Sequence, residues 1–168
     1  MGPSRQLRIA DLLTTHRLHL VTAESCTGGL LGNLVTNIPG SSAYYLGGLV
    51  AYANIAKMNW LGVKQETLAH YGAVSLETVL EMAQGVRRAF AGEFDEDKII
   101  SLSISGIAGP DGGTDEKPVG TVWIGLSSPW VDEANKFHFN GDRLAVKMQA
   151  AEEALKMLLD ALVNHFQF

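Results

Sequence analysis

Apolar positions along the chain alternate between a helical period and short runs of strand type. In RQLRIADLLTTHR, Leu7, Ala10, Leu12 and Leu13 fall near helical spacing, and the LHLVTAE that follows is a short apolar run. A glycine-rich turn then leads into a helix predicted from about Thr27 to Asn37, closed by Pro39 and Gly40. GGLVAY reads as a second strand and ANIAKMNWLGV as a short helix. Ser75 is the predicted N-cap of a helix in which Leu76, Val79, Leu80, Ala83, Val86 and Phe90 step by threes and fours. KIISLSISG and VGTVWIGLS read as strands flanking a long loop, and NKFHFN as a further strand. The last helix, from about Asp142 to Phe166, carries Leu144, Met148, Ala151, Leu155, Leu158, Leu159 and Leu162 on one face. Strands interleaved with helices predict a three-layer α/β/α sandwich with a mixed, mostly parallel sheet of about five strands. It is mixed because the last strands are joined without helices between them.

A chain of 168 residues that is 46% hydrophobic can bury one good core, and without a linker-like stretch it is expected to form a single domain over residues 1–168. The net charge of −5, with scattered basic residues, predicts no nucleic-acid partner. Any anionic ligand must then be met locally. A single cysteine rules out an internal disulfide and suits a reducing compartment. No apolar run reaches membrane-spanning length, and MGPSRQLRIADLL has polar residues where a signal peptide is apolar. These features predict a cytoplasmic protein without a membrane partner.

The chemistry concentrates in AESCTGGLLGNLV, residues 23–35. A strand that ends in this turn delivers Ser25 to the carboxyl edge of the sheet, where open α/β folds place their ligands. The following helix N-terminus offers unpaired amides for an oxyanion or a phosphate. Alternatively, Ser25 or Thr27 simply caps that helix. Cys26 is a rival nucleophile, but none of His16, His19, His70, His138 and His165 stands in a context that marks it as a partner, so a small buried cysteine is the simpler reading. Without a marked histidine, a Ser-Lys pair is the natural variant, and Lys57 in YANIAK is the best-placed base. Its alternative is an ordinary surface lysine.

TAESCTGGLL, GGLVAYANIAK, GAVS, SGIAGPDGGTDEKPVGTVW and GDR occur in the order and nearly the spacing of the C-terminal domain of the CinA (competence/damage-inducible protein A) family, which the chain resembles over nearly its whole length. Members of that family are similar to nicotinamide mononucleotide (NMN) deamidases. The resemblance implies Ser25 as nucleophile, Lys57 as general base, Tyr52 as an active-site hydroxyl near the lysine, and Arg143 as a substrate-binding cation. The family lysine usually follows YSNEAK; here Ala53 and Ile55 replace a hydroxyl and a carboxylate. The pyrophosphatase-like N-terminal domain of many members does not occur in this sequence, so its metal dependence is not carried over. Nothing here has metal-ligand spacing, His19 and Glu24 being isolated, and neither metal nor organic cofactor is expected.

The other motifs fit this reading. Residues 105–120 hold five glycines and two prolines, and a loop that long in a compact domain is usually functional. Gly106, Gly109 and Gly112 are expected to bring the backbone close to a ligand, the alternative being a surface turn. Backbone amides of Thr27 and Gly28 are the expected oxyanion donors. Arg143 stands in the first turn of a helix, where the macrodipole disfavours a cation, and a 5′-phosphate would offset that cost. A surface ion pair with Asp142 is its alternative. A catalytically silent nucleotide-binding or regulatory module, or an amidase with another substrate, would keep much of this pattern. The apolar face of the short domain predicts a homodimer.

Overall fold

The computed structural model describes residues 3–166, and its centre is the predicted apolar run His19–Glu24, strand β1. This strand pairs in parallel with Tyr45–Val50 (β2) on one side and Ile99–Gly106 (β3) on the other. Thr121–Ser127 (β4) and Asp132–His138 (β5) then add antiparallel, giving the order β2-β1-β3-β4-β5. The parallel pairings form the β2-β1-β3 part of the sheet, and the directly joined last strands supply the antiparallel edge. The expected α/β/α sandwich on a mixed five-stranded sheet is what the chain adopts.

Alternation along β3 sorts the two faces. Ile100, Leu102 and Ile104 turn to the layer made by Arg5–Thr15 (α1), Leu30–Thr36 (α2) and Arg143–Phe166 (α6), where they pack with Leu13, Leu31, Leu155 and Leu158. Ser101, Ser103 and Ser105 turn the other way, toward Asn54–Leu61 (α3), Gln65–Tyr71 (α4) and Leu76–Phe90 (α5). The Ser101 and Ser103 hydroxyls donate to the Ala83 and Val79 carbonyls of α5 at 2.7 and 2.6 Å, and Ser105 donates to the Ala73 carbonyl at 2.7 Å. Small hydroxyl side chains thus let α5 lie close to the sheet without stranding a buried polar group. Val21, Ala23, Leu61, Met82 and Val86 complete that second core.

Ser75 caps α5 as predicted, its hydroxyl accepting from the Thr78 amide at 3.2 Å. Other expectations are corrected. α2 begins at Leu30 rather than near Thr27, because Gly28 and Gly29 hold left-handed backbone (φ +61° and +101°) and extend the turn. α4 was not predicted; it spans only seven residues and buries one of them, Thr67. β5 starts at Asp132, ahead of the predicted NKFHFN. On α6, Leu144 and Met148 stand exposed, and Val146, Ala150 and Ala154 take the inward stripe, since alanines let the helix approach the sheet. Leu7 of α1 is likewise exposed while Ile9 and Leu13 are buried. The chain ends named in the 1–168 domain expectation, residues 1–2 and 167–168, lie outside the described residues. Among the described residues, no helix is long and apolar enough to cross a membrane.

Candidate active site

β1 ends at Glu24, and the Ser25 amide still donates to the Ile104 carbonyl of β3 at 2.9 Å, fixing the start of the turn. The turn closes when the Gly28 amide donates to the Ser25 carbonyl at 3.0 Å. Neither Ser25 nor Thr27 caps α2. The buried Glu24 carboxylate does so, accepting from the Gly29 and Leu31 amides on one oxygen (3.1 and 2.9 Å) and from Gly32 on the other (2.9 Å). A negative charge at the positive end of a helix is favoured, and three amides that lack helical partners are satisfied at once. The capping side chain therefore comes from within the strand, and the Ser25 hydroxyl is released for other work.

That hydroxyl faces Lys57. The fourth residue of α3 points its chain inward, so that Lys57 is 1% exposed, with Nζ 3.0 Å from Ser25 Oγ. Two further oxygens hold the amine, the carbonyls of Ala51 at 3.0 Å and Tyr52 at 2.9 Å. They come from the chain between β2 and α3, whose start is anchored when the Ala51 amide donates to the Glu24 carbonyl at 2.9 Å. Among the described residues, no carboxylate pairs with Lys57. Burial pushes its pKa below the usual amine value, with the Cys26 sulfur opposing that shift. A neutral amine has two N–H donors and one lone pair. With Nζ donating to Ser25 Oγ, the hydroxyl points to the Tyr52 carbonyl at 3.5 Å; in the neutral amine the two carbonyls would use both donors and the lone pair would be left for the hydroxyl to turn to.

Cys26 is buried beside this pair, and its thiol is pushed up to about 11, first by burial and further by the Glu24 carboxylate, against its own backbone contact and the Lys57 and Arg143 charges. A thiol held protonated is a poor nucleophile at neutral pH. Among the described residues the Thr27 amide donates to no backbone carbonyl, the Cys26 amide lies against its own thiol, and the Gly28 amide, expected as an oxyanion donor, is consumed inside the turn. The Thr27 hydroxyl is buried without a partner.

A cleft of about 240 Å³ opens over Cys26 and Tyr52, walled by the long loop at Gly106, Ile107, Gly109, Asp111 and Gly112 and closed by Arg143. Gly106, Gly109 and Gly112 all line this cleft. Gly109 needs its positive φ of 86°, and its carbonyl accepts from Arg143 at 2.6 Å. Arg143 also donates to the Tyr52 hydroxyl at 2.8 Å. Tyr52 therefore meets Lys57 through its backbone carbonyl, and its hydroxyl, expected near the lysine, belongs to Arg143 instead. Asp142 is no ion-pair partner of Arg143; its carboxylate caps α6 by accepting from the Ala145 amide at 2.9 Å. A larger hollow of about 450 Å³ beside Trp130 and His165 contains no nucleophile–base pair of this kind. Among the described residues, no group of three His, Cys, Asp or Glu side chains gathers to hold a metal ion. Glu24 as the cap of α2 and Asp111 as a wall of the cleft carry no signal of spacing in the sequence.

The arrangement defines an α/β-sandwich protein whose serine, on a strand-to-helix turn, faces a buried lysine beside an arginine-closed glycine loop. Comparison with known proteins gives the same class a family: the sequence profile of the CinA C-terminal domain matches residues 4–162, and the chain belongs to that family. A putative competence-damage inducible protein of Moorella thermoacetica is 48% identical over 151 residues, covering 90% of this chain and 35% of that protein. One of Halothermothrix orenii is 50% identical over 138 residues, covering 80% of this chain and 32% of its own length. The chain thus spans about a third of these relatives. Among solved structures, a CinA superfamily protein of Klebsiella pneumoniae 700603 superposes with a TM-score of 0.87 at 38% identity, covering 95% of this chain and 96% of that one. One from Escherichia coli gives 0.84 at 35% identity, covering 92% and 87%.

Proposed function

We propose that the chain is an amidase that hydrolyses the carboxamide of NMN to nicotinate mononucleotide and ammonia through a seryl ester, a step in pyridine nucleotide salvage. The observation that carries this reading is the Lys57 amine, buried, unpaired by any carboxylate and 3.0 Å from Ser25 Oγ. A lysine so held has one evident use, which is to take a proton.

Neutral Lys57 removes the proton from Ser25 as Oγ attacks the carboxamide carbon. The carbonyl oxygen becomes an oxyanion, which the amides of the Cys26–Thr27 turn, that of Thr27 foremost, stabilise. On collapse the C–N bond breaks, and Lys57 returns its proton to the nitrogen that departs as ammonia. Water then attacks the nicotinoyl ester, again losing a proton to Lys57, and Ser25 recovers it as the acid is released. Arg143, held by Gly109 and Tyr52 at the cleft mouth, meets the 5′-phosphate. No step calls for a metal or an organic cofactor.

The test is ammonia release from NMN, nicotinamide and nicotinamide riboside measured side by side. NMN is expected to be turned over in clear preference to the other two. Release from none of them would leave a silent nucleotide-binding module, and preference for another amide would keep the chemistry while changing the substrate.

A further inference from the structure

An anion entering this cleft does not find the helix terminus that usually receives one. The α2 amides of Gly29, Leu31 and Gly32 are already filled by Glu24. Arg143 is in place but partly committed, one terminal nitrogen to Gly109 and the other to the Tyr52 hydroxyl. A second cation stands one helical turn further along α6. Lys147 is half-buried, and its Nζ reaches to 3.9 Å from where a Cβ on Gly28 would be, so the amine lies over the turn that carries Ser25. Residues four apart share a helix face, so Arg143, which lines the cleft, and Lys147, which lies beside it over Gly28, form one row of positive charge.

Among the described residues neither side chain forms an ion pair, the first turn of α6 has no acidic residue, and the nearby Asp142 is engaged in capping. Two like charges on one face, both near the positive end of a helix, raise the energy of the unliganded protein. A bound dianion would reverse both penalties.

We propose that Lys147 is a second phosphate-binding residue, which with Arg143 clamps the 5′-phosphate of a nucleotide monophosphate over the Gly28 turn. The proposal rests on the reading of the Ser25–Lys57 site as one that takes a phosphorylated nucleoside. Lys147 has no part in the proton transfers between Ser25 and Lys57, so its contribution is expected in KM rather than in kcat.

The test uses Lys147→Met and Lys147→Arg in the full chain, assayed with NMN and with nicotinamide riboside, and titrated with ribose 5-phosphate and with ribose. Lys147→Met should raise KM for NMN on the order of tenfold with little change in kcat, the loss of one charge-assisted contact. The riboside should be unaffected, and Lys147→Arg should restore most of the loss. Ribose 5-phosphate should bind the unaltered protein and bind Lys147→Met on the order of tenfold more weakly. That second result holds even in a protein that releases no ammonia from NMN, in which case the anion subsite stands and the deamidase reading falls. NMN turnover and ribose 5-phosphate binding that are both unchanged in Lys147→Met, or equal losses for NMN and the riboside, would overturn the proposal.

Discussion

Replacing Glu24 by glutamine keeps the size of the buried side chain and removes only its charge and half its accepting capacity. The carboxylate now takes three amides, two on one oxygen and one on the other. In the better of its two orientations the glutamine oxygen keeps two of them, and the new NH2 group faces the third, which is left unpaired. Losing one hydrogen bond to a charged group costs about 1.5–3 kcal/mol. Removing the anion from a partly buried helix N-terminus adds about 0.3–2 kcal/mol. The sum, about 2–5 kcal/mol, is a large share of the stability of an ordinary domain, and corresponds to a fall in Tm of several degrees per kcal/mol at this size. Denaturant unfolding should show a lower midpoint at unchanged slope. Hydrogen exchange should locate the loss at Gly29, Leu31 and Gly32. Because Ser25 is the next residue, kcat for ammonia release should fall as well. Unfolding within about 0.5 kcal/mol of the parent, a change typical of an indifferent surface site, with protection of Leu31 and Gly32 unaltered, would refute the assignment of Glu24 as the group that sets the turn.

Four further outcomes follow from the same geometry. Ser25→Ala should abolish ammonia release while the protein remains folded, and Cys26→Ala should stay active; the opposite pair of results would make the cysteine the nucleophile. Arg143→Ala should raise KM for NMN by about 10- to 100-fold, the loss of a charge-assisted contact of about 1.5–3 kcal/mol, and leave nicotinamide riboside little changed; equal damage to both would refute phosphate recognition. Since the folded pKa of Lys57 lies below the ordinary 10.5, the unfolded chain keeps this proton to higher pH than the folded one. Stability should therefore rise with pH across the window from the folded pKa up to 10.5, by at most about 1.4 kcal/mol per unit relative to Lys57→Met, and a difference independent of pH from 6 to 10 would contradict a depressed lysine. Ile55 is exposed and two residues from inward-pointing Lys57, so an added carboxylate there is screened by solvent. Ile55→Glu should move the acidic limb of kcat/KM by less than about 0.3 units, and a rise of a full unit would show that the two positions communicate.

The fold was legible wherever a period was long or a connection was short. The strand before the turn, the capped helix after Ser75 and the antiparallel edge all follow from pattern, because burial on one face dictates it. α4 escaped for the opposite reason, since a seven-residue helix that buries only Thr67 leaves no periodic trace. The α6 stripe was misread at Leu144 and Met148 because large apolar residues outweigh alanines in any pattern, while close packing against a sheet selects the alanines. In the site, residue types suggested Ser25 and, without a marked histidine, Lys57 as its partner over an ordinary surface lysine, and the family resemblance favoured that pair. What no pattern could supply was the exchange of roles among neighbours. Glu24 caps in place of Ser25, and Tyr52 offers a carbonyl to the lysine while its hydroxyl serves Arg143. Such exchanges depend on side-chain direction at the ends of strands, which spacing alone does not encode.

The pairing of β1 with β3, in which His19 meets Ile99, has a consequence for how the reactive pair comes into being. Ser25 leaves β1 and Lys57 follows β2, so their meeting depends on the parallel β1–β2 pairing, while β3 holds the Ser25 amide from the other side. Contacts of that kind carry the largest loop-closure entropy and are slow to form. The burial that lowers the Lys57 pKa belongs to the assembled sheet, since without it the amine would stand in water. The closeness of Ser25 and Lys57 is thus a property of the seated central strand, and neither segment carries it alone.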